Sequence, residues 1–236
     1  GGLLLSVIEP TAYPERLQPA LFAAQICDYP VLLASEVNQY LGELIVLLDL
    51  TGKPGAIIGD LDVTQFTKGT NLENWKKFKS VDEFRASLVE YKQEVKSGEF
   101  KAWVDHSFDV KGVGSVALGV VKSWEMSVHD KLKVFPSKEK MIEVRSIQMH
   151  DADVKIAKAG DRFGIALKGV DAKELERGSV LAKNAFPTHS QIKVRLRATK
   201  YLKEPIKAGE VLHACVGLQF IVCKIGCDVG ASEEEQ

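Results

Sequence analysis

Short apolar blocks alternate with longer segments of helical period along the first part of the chain. Leu3-Leu4-Leu5-Ser6-Val7-Ile8 reads as a strand covered on both faces. Pro10 and Pro14 break that pattern, after which Leu17, Leu21 and Ala24 recur at helical spacing up to Asp28-Tyr29-Pro30. Val31-Leu32-Leu33-Ala34 predicts a second buried strand. Ser35 can then cap a helix that carries Val37, Tyr40, Leu41, Leu44, Ile45 and Leu48 on one face, with Gly52 just past its end. Ala56-Ile57-Ile58 is a third strand. Ser80 with Glu83 makes a capping box for a helix whose stripe is Val81, Phe84, Leu88, Tyr91 and Val95. Strand–helix alternation of this kind predicts a parallel sheet with helices on its faces.

From Phe100 onward the period shortens. Ala102–Val104, Val116–Val121, Lys131–Phe135, Ile142–Ile147, Phe163–Leu167, Ile192–Ala198 and His213–Ile225 are apolar or alternating runs. Turns are predicted at Lys111–Gly114, Ser137–Lys140, Ala159–Asp161, Glu176–Gly178 and Lys207–Glu210. Dense short strands with regular turns predict β-barrels, and the break at Asn184–Thr188 divides two of them. The resulting division is 1–97, 98–184 and 185–236.

Composition narrows this little. At 45% hydrophobic and 27% charged residues the chain is ordinary for a globular protein. Its longest apolar stretch, Leu44 to Leu50, is too short to span a bilayer, so no membrane is expected as a partner. No signal peptide is visible, and four cysteines without a CxxC pair point to a reducing cytoplasm. A net charge of −1 gives no global basic field that points to nucleic acid, and no DNA partner is expected. The charge is uneven, however: residues 183–236 carry 8 Lys and Arg against 6 Asp and Glu. The start at Gly1-Gly2, directly before an apolar strand, leads us to expect further chain upstream.

The segment Asp109-Val-Lys-Gly-Val-Gly-Ser-Val-Ala-Leu-Gly119 is followed by Asp130-Lys131-Leu132 and Val144-Arg-Ser-Ile-Gln-Met-His150. Ala157-Lys-Ala-Gly-Asp-Arg-Phe-Gly-Ile-Ala-Leu-Lys-Gly169 and Glu176-Arg-Gly-Ser-Val-Leu181 complete the set. In this order and spacing the segments resemble the second domain of elongation factor Tu and its relatives, the selenocysteine-specific factors most of all. Gly209–Val216 is similar to part of the third domain of those factors. The resemblance implies a G-domain-like α/β part, a domain II barrel and an abbreviated domain III. Ser123–Asp130 departs from the family, whose members usually show glycines in that stretch.

The departures in the first part bear on function. In the family an Asp-x-x-Gly motif follows the strand that matches Leu3–Ile8; here the residues are Glu9-Pro10-Thr11-Ala12, and Tyr13 stands where the family has its catalytic histidine. A phenol of pKa about 10 does not replace an imidazole in positioning water. The guanine-reading Asn-Lys-x-Asp becomes Gly59-Asp60-Leu61-Asp62, and no GxxxxGK[ST] occurs in the 236 residues. Glu9, Ala12 and Asp62 are therefore read as nucleotide-binding remnants, with no catalytic residue, no metal and no cofactor.

The expected function is that of an elongation-factor-Tu-like pseudo-GTPase binding tRNA, the ribosome or another translation factor. Two readings stay open beside it: a working GTPase using GTP and magnesium, with its phosphate loop in an upstream segment, and an interaction module without an RNA role. The RNA-contact candidates are Lys193, Arg195 and Arg197, on one face of an alternating strand, with Lys111 and Trp124. A solvated outer strand face is the plainer reading of the first three. The five histidines are scattered and read as neither metal ligands nor catalytic groups.

Overall fold

The computed structural model describes residues 5–90, 98–136, 140–196 and 198–226. Three strands, β1 (Val31–Leu33), β2 (Ala56–Ile58) and β3 (Lys76–Phe78), form a parallel sheet in that order. Helix α1 (Leu17–Ile26) precedes it, and α2 (Gln39–Thr51) connects β1 to β2. The one-turn helix α3 (Thr64–Thr67) and a 3-10 turn at Asn71–Asn74 lead into β3, and α4 (Val81–Ser87) follows. The core of this unit joins Leu32, Ile57, Leu41, Ile45, Leu48, Leu72 and Trp75, so the central strand β2 is buried along its whole length.

Several expectations shift. Residues 5–8 of the expected first strand are not a strand, and Val7 is 86% exposed; residues 1–4 lie outside the described residues. Residues 5–8 pair with no strand, so β1 is the edge of the sheet among the described residues. Asn38, not Ser35, caps α2: its Oδ1 accepts the Leu41 N–H at 2.9 Å, so the helix starts three residues later than Ser35 would allow. Gly52 closes α2 in the left-handed conformation, φ 62°, as its position predicts. Ser80 caps α4 through the Glu83 N–H, while Glu83 turns back to the Lys79 N–H. No residue of α4 is buried, and Tyr91 and Val95 of its expected stripe lie outside the described residues.

Beyond Glu99 the chain builds a closed barrel. Strands β4 (Lys101–Val110), β5 (Gly114–Ser123), β7 (Lys131–Phe135), β8 (Lys140–Met149), β11 (Arg162–Lys168) and β12 (Val180–Ala182) run β11-β5-β4-β12-β7-β8. Pairing of β11 with β8 shuts it into six strands. β9 (Ala152–Val154) extends β8, and β6 (Glu125–Ser127) pairs with β10 (Ile156–Lys158) as a separate ribbon. Alternate residues fill the interior, among them Val104, Ala117, Leu132, Val144, Ile147, Ile165 and Leu181. The β4–β5 hairpin turns through Gly112 at φ 84° and Gly114 at φ 98°, as the Gly-x-Gly pair predicts.

The strap between β5 and β7, Ser123–Asp130, contains no glycine. Trp124 at φ 60° and His129 at φ 72° take left-handed backbone there without being glycine, at a cost of about 1–2 kcal/mol each.

After the barrel the described residues hold one hairpin, β13 (Val211–Val216) with β14 (Gln219–Lys224). Cys215 and Cys223 are half-buried in it. The expected strand Ile192–Ala198 is corrected: residues 192–196 form none, and Ile192, Val194 and Leu196 are 71%, 61% and 59% exposed. Alternation alone makes no strand without a hydrogen-bonded partner, and residues 192–196 pair with neither β13 nor β14.

Candidate functional site

Parallel α/β sheets hold ligands at the carboxyl ends of their strands. Here that rim is made by Ala34 after β1, Gly59–Asp62 after β2 and Lys79-Ser80 after β3. Gly59 N–H donates to Phe78 O at 2.9 Å, and Ala34 N–H to Ile58 O at 2.8 Å. Gly59 sits at φ 138°, packed so closely on the Ala34 carbonyl that a side chain there would collide with main chain.

Asp62 is fully exposed, and its Oδ1 accepts the Thr64 N–H at 2.9 Å to start α3. Hydrogen bonding from Thr64 holds its carboxyl below the usual range. Lys77 Nζ reaches Thr64 Oγ1 at 3.0 Å. Glu9 and Ala12 lie exposed in the turns before α1, their carbonyls accepting from Thr11 at 3.0 Å and Arg16 at 2.9 Å. Among the described residues no hydrogen bond or ion pair joins either to Asp62. Tyr13 donates its hydroxyl to Glu43 Oε2 at 2.8 Å and to Tyr40 O at 3.2 Å, tying the Glu9–Tyr13 segment to α2. Burial, then the Glu43 acceptor, pushes that hydroxyl well above the ordinary phenol range.

The RNA-contact candidates occupy separate surfaces. Lys193 and Arg195 are exposed on the irregular segment after the barrel, while Arg197 lies outside the described residues. Further along, Lys200 Nζ donates to Lys68 O at 2.6 Å and so lays this segment against the α/β unit. Lys111 is exposed at the tip of the β4–β5 hairpin, near exposed Phe108, Val110 and Val113, and Arg145 Nη1 donates to Val113 O at 3.0 Å. Trp124 stands at the other end of β5, a strand of ten residues and so roughly 30 Å away.

No residue pattern predicted the seam between the α/β unit and the barrel. Lys122 Nζ crosses it to donate to Ile26 O at 3.1 Å, 3.9 Å from Asp28 Oδ1 and 4.9 Å above the Trp103 ring, with its side chain 13% exposed. From the other side Lys53 Nζ donates to Ala24 O at 2.7 Å, Gln25 O at 3.0 Å and Cys27 O at 2.7 Å. The negative end of the α1 dipole is thus held between two ammonium groups. Arg177 adds a second tie. Its Nε is 3.1 Å from Asp105 Oδ1, its Nη2 is 2.7 Å from His106 Nε2, and its guanidinium lies 5.6 Å from the Phe22 ring of α1. His106 is therefore a structural partner. Among the described residues no group of three His, Cys, Asp or Glu is placed to hold a metal, and no helix is long and apolar enough to cross a membrane.

A small parallel α/β unit, fixed to a closed six-stranded barrel and followed by a further β-hairpin, is the architecture of a translation factor. Residues 114–182 match the family model of elongation factor Tu domain 2. The chain is 34% identical over 233 residues to an uncharacterized protein of Methanocaldococcus jannaschii, covering 95% of this chain and 75% of that one. It is 29% identical over 207 residues to the selenocysteine-specific elongation factor of the same organism, covering 75% of this chain and 44% of the relative. The crystal structure of the elongation factor SelB of Methanococcus maripaludis, apo form, superposes with a TM-score of 0.75 at 26% identity, over 86% of this chain and 50% of that one. The chain belongs to the elongation factor Tu/SelB-like translation GTPase family. It spans about half or less of the length of the selenocysteine-specific factors it matches.

Proposed function

We propose that this chain is a translation factor that has given up the guanine-nucleotide switch and acts by binding RNA, tRNA or ribosomal, in the cytoplasm. The units 1–97, 98–184 and 185–236 would then serve as a degenerate G domain, a domain II barrel and a shortened domain III. The reading is carried by what stands at the positions of the family's nucleotide motifs. Glu9 and Ala12 replace the family's Asp and Gly, Asp62 is engaged by Thr64, and Tyr13 is bound to Glu43 in place of a water-positioning imidazole. Titration of the full-length protein with GTP or GDP and magnesium is expected to give no saturable signal at micromolar concentration. Magnesium-dependent binding in that range overturns the proposal.

RNA binding has its own test. Lys193 and Arg195 offer cations on an exposed segment, Arg197 adds a third in the sequence, and their contacts would go to phosphates, which position without reading sequence. Replacing all three with alanine is expected to weaken tRNA binding regardless of tRNA identity. The slope of log affinity against log salt should flatten by about 0.7–0.9 per contact removed. Binding that survives with its slope unchanged assigns the contact to another surface.

A further inference from the structure

The turn Gly217-Leu218 is the one buried part of the β13–β14 hairpin among the described residues. A Cβ on Gly217 would meet the Trp103 ring at 2.9 Å, and one on Gly178 would meet Leu218 and Gln219, so the tip is seated against the barrel. A two-stranded hairpin is marginal in water by itself, and this anchor is what holds it. Helix α1 lies beside β13. Strand β14 is hydrogen-bonded to β13 alone among the described residues, so its outer edge is open.

Natural edge strands are blunted by charges, proline or a bulge. β14 reads Gln219-Phe-Ile-Val-Cys-Lys224, without proline, in unbroken register with β13 and with its one charge at the last residue. Ile221 and Val222 point to opposite faces of the hairpin and are 47% and 66% exposed, so the strand is apolar on both faces. Its main chain is aimed outward as well. Ile225 N–H donates to Glu210 O, and Ile225 O accepts the Gly209 N–H, both at 2.9 Å, so Ile225 turns both groups inward. By alternation Phe220, Val222 and Lys224 turn theirs to the open edge.

We infer that β14 pairs antiparallel with β14 of a second copy of this chain, across a twofold axis at Val222. The two Val222 residues exchange both main-chain hydrogen bonds. In that register Phe220 lies opposite Lys224 of the second copy, and Ile221 opposite Cys223. The strand therefore complements itself: β-branched residues meet at the axis, and no charge faces a like charge. The pairing also closes on itself, leaving no open edge on β14 to recruit a third copy. Area sets its strength. Val211, Val216, Ile221 and Val222 expose on the order of 80 Å² each, about 300 Å² per copy, against roughly 800 Å² per partner in a standard interface. The dimer is accordingly a weak one, with a dissociation constant of about 10–100 μM. The inference stands whether or not the chain handles RNA.

The test is sedimentation equilibrium of the full chain from about 1 μM to 1 mM, where wild type is expected to pass from monomer to dimer. Val222→Lys sets two ammonium groups opposite each other at the axis and should raise the dissociation constant by about 10- to 100-fold. Because Val222 is exposed, the circular dichroism spectrum and Tm of that variant should match wild type. The register has its own readout. Residues opposite each other in a pair without main-chain bonds have Cα atoms about 4.5 Å apart, within disulfide reach. Ile221→Cys should therefore form an intermolecular disulfide with the native Cys223 under mild oxidation, and adding Cys223→Ser should abolish it. Three results overturn the inference: wild type stays monomeric throughout, Val222→Lys dimerises as tightly as wild type, or Ile221→Cys forms no cross-link in a dimer. A monomer whose amides at residues 192–196 are protected from hydrogen exchange gives the edge to that segment of the same chain, and overturns it as well.

Discussion

Gly59→Ala is expected to collapse the α/β unit. Its φ of 138° lies outside the range L-residues adopt readily, a strain of about 1–3 kcal/mol by itself. The added Cβ also meets the Ala34 carbonyl, main chain that cannot rotate aside. Ala34 and Gly59 directly follow β1 and β2, and Gly59 N–H binds Phe78 of β3, so moving either one disturbs all three strands at once. We expect a loss of about 3–4 kcal/mol in urea unfolding followed by circular dichroism, a large part of a domain's whole stability. A loss below about 1 kcal/mol would mean the two loops are not packed as described.

Ile165→Ala should cost about as much in the barrel. Ile165 is fully buried in β11, the strand that pairs on one side with β5 at Ala117 and on the other with β8 at Ile147. Truncation there empties the interior at the strand that closes the barrel, where the neighbours are held on both sides and cannot collapse inward. Large-to-small changes in such places cost about 3–4 kcal/mol. Ile165→Val, which removes one methylene, should cost about 1 kcal/mol. If Ile165→Ala and Ile165→Val lose the same amount, the cavity explanation fails.

Much of the barrel could be read in advance because its strands are long enough to show a period. Lys131–Phe135 has the expected bounds: Leu132 and Val134 point inward, Lys131 outward. Gly112 and Gly114 mark their hairpin because only glycine takes those angles easily. β6 and β10 were not legible. Each has three residues and one buried side chain, Met126 and Ala157, too few to form a pattern. Trp124 and His129 hide their left-handed turns because neither residue advertises one. Ile192–Ala198 misled in the opposite direction, since its alternation was sound and its neighbour was missing. The candidate nucleotide positions were legible as departures from a motif, down to Tyr13. That its hydroxyl would bind Glu43, thirty residues away, was not.

The seam at α1 carries a consequence for how the molecule can drift over evolutionary time. Lys122 and Lys53 grip carbonyls, at Ala24, Gln25, Ile26 and Cys27, and a carbonyl is present whichever side chain occupies the position. The helix end can therefore exchange one apolar residue for another without loosening the joint, so long as its backbone path is kept. The two lysines have no such freedom. At these carbonyls constraint falls on the lysines alone, and a search for residue pairs that change together would find the joint only through Lys122 with Asp28 and Arg177 with Phe22.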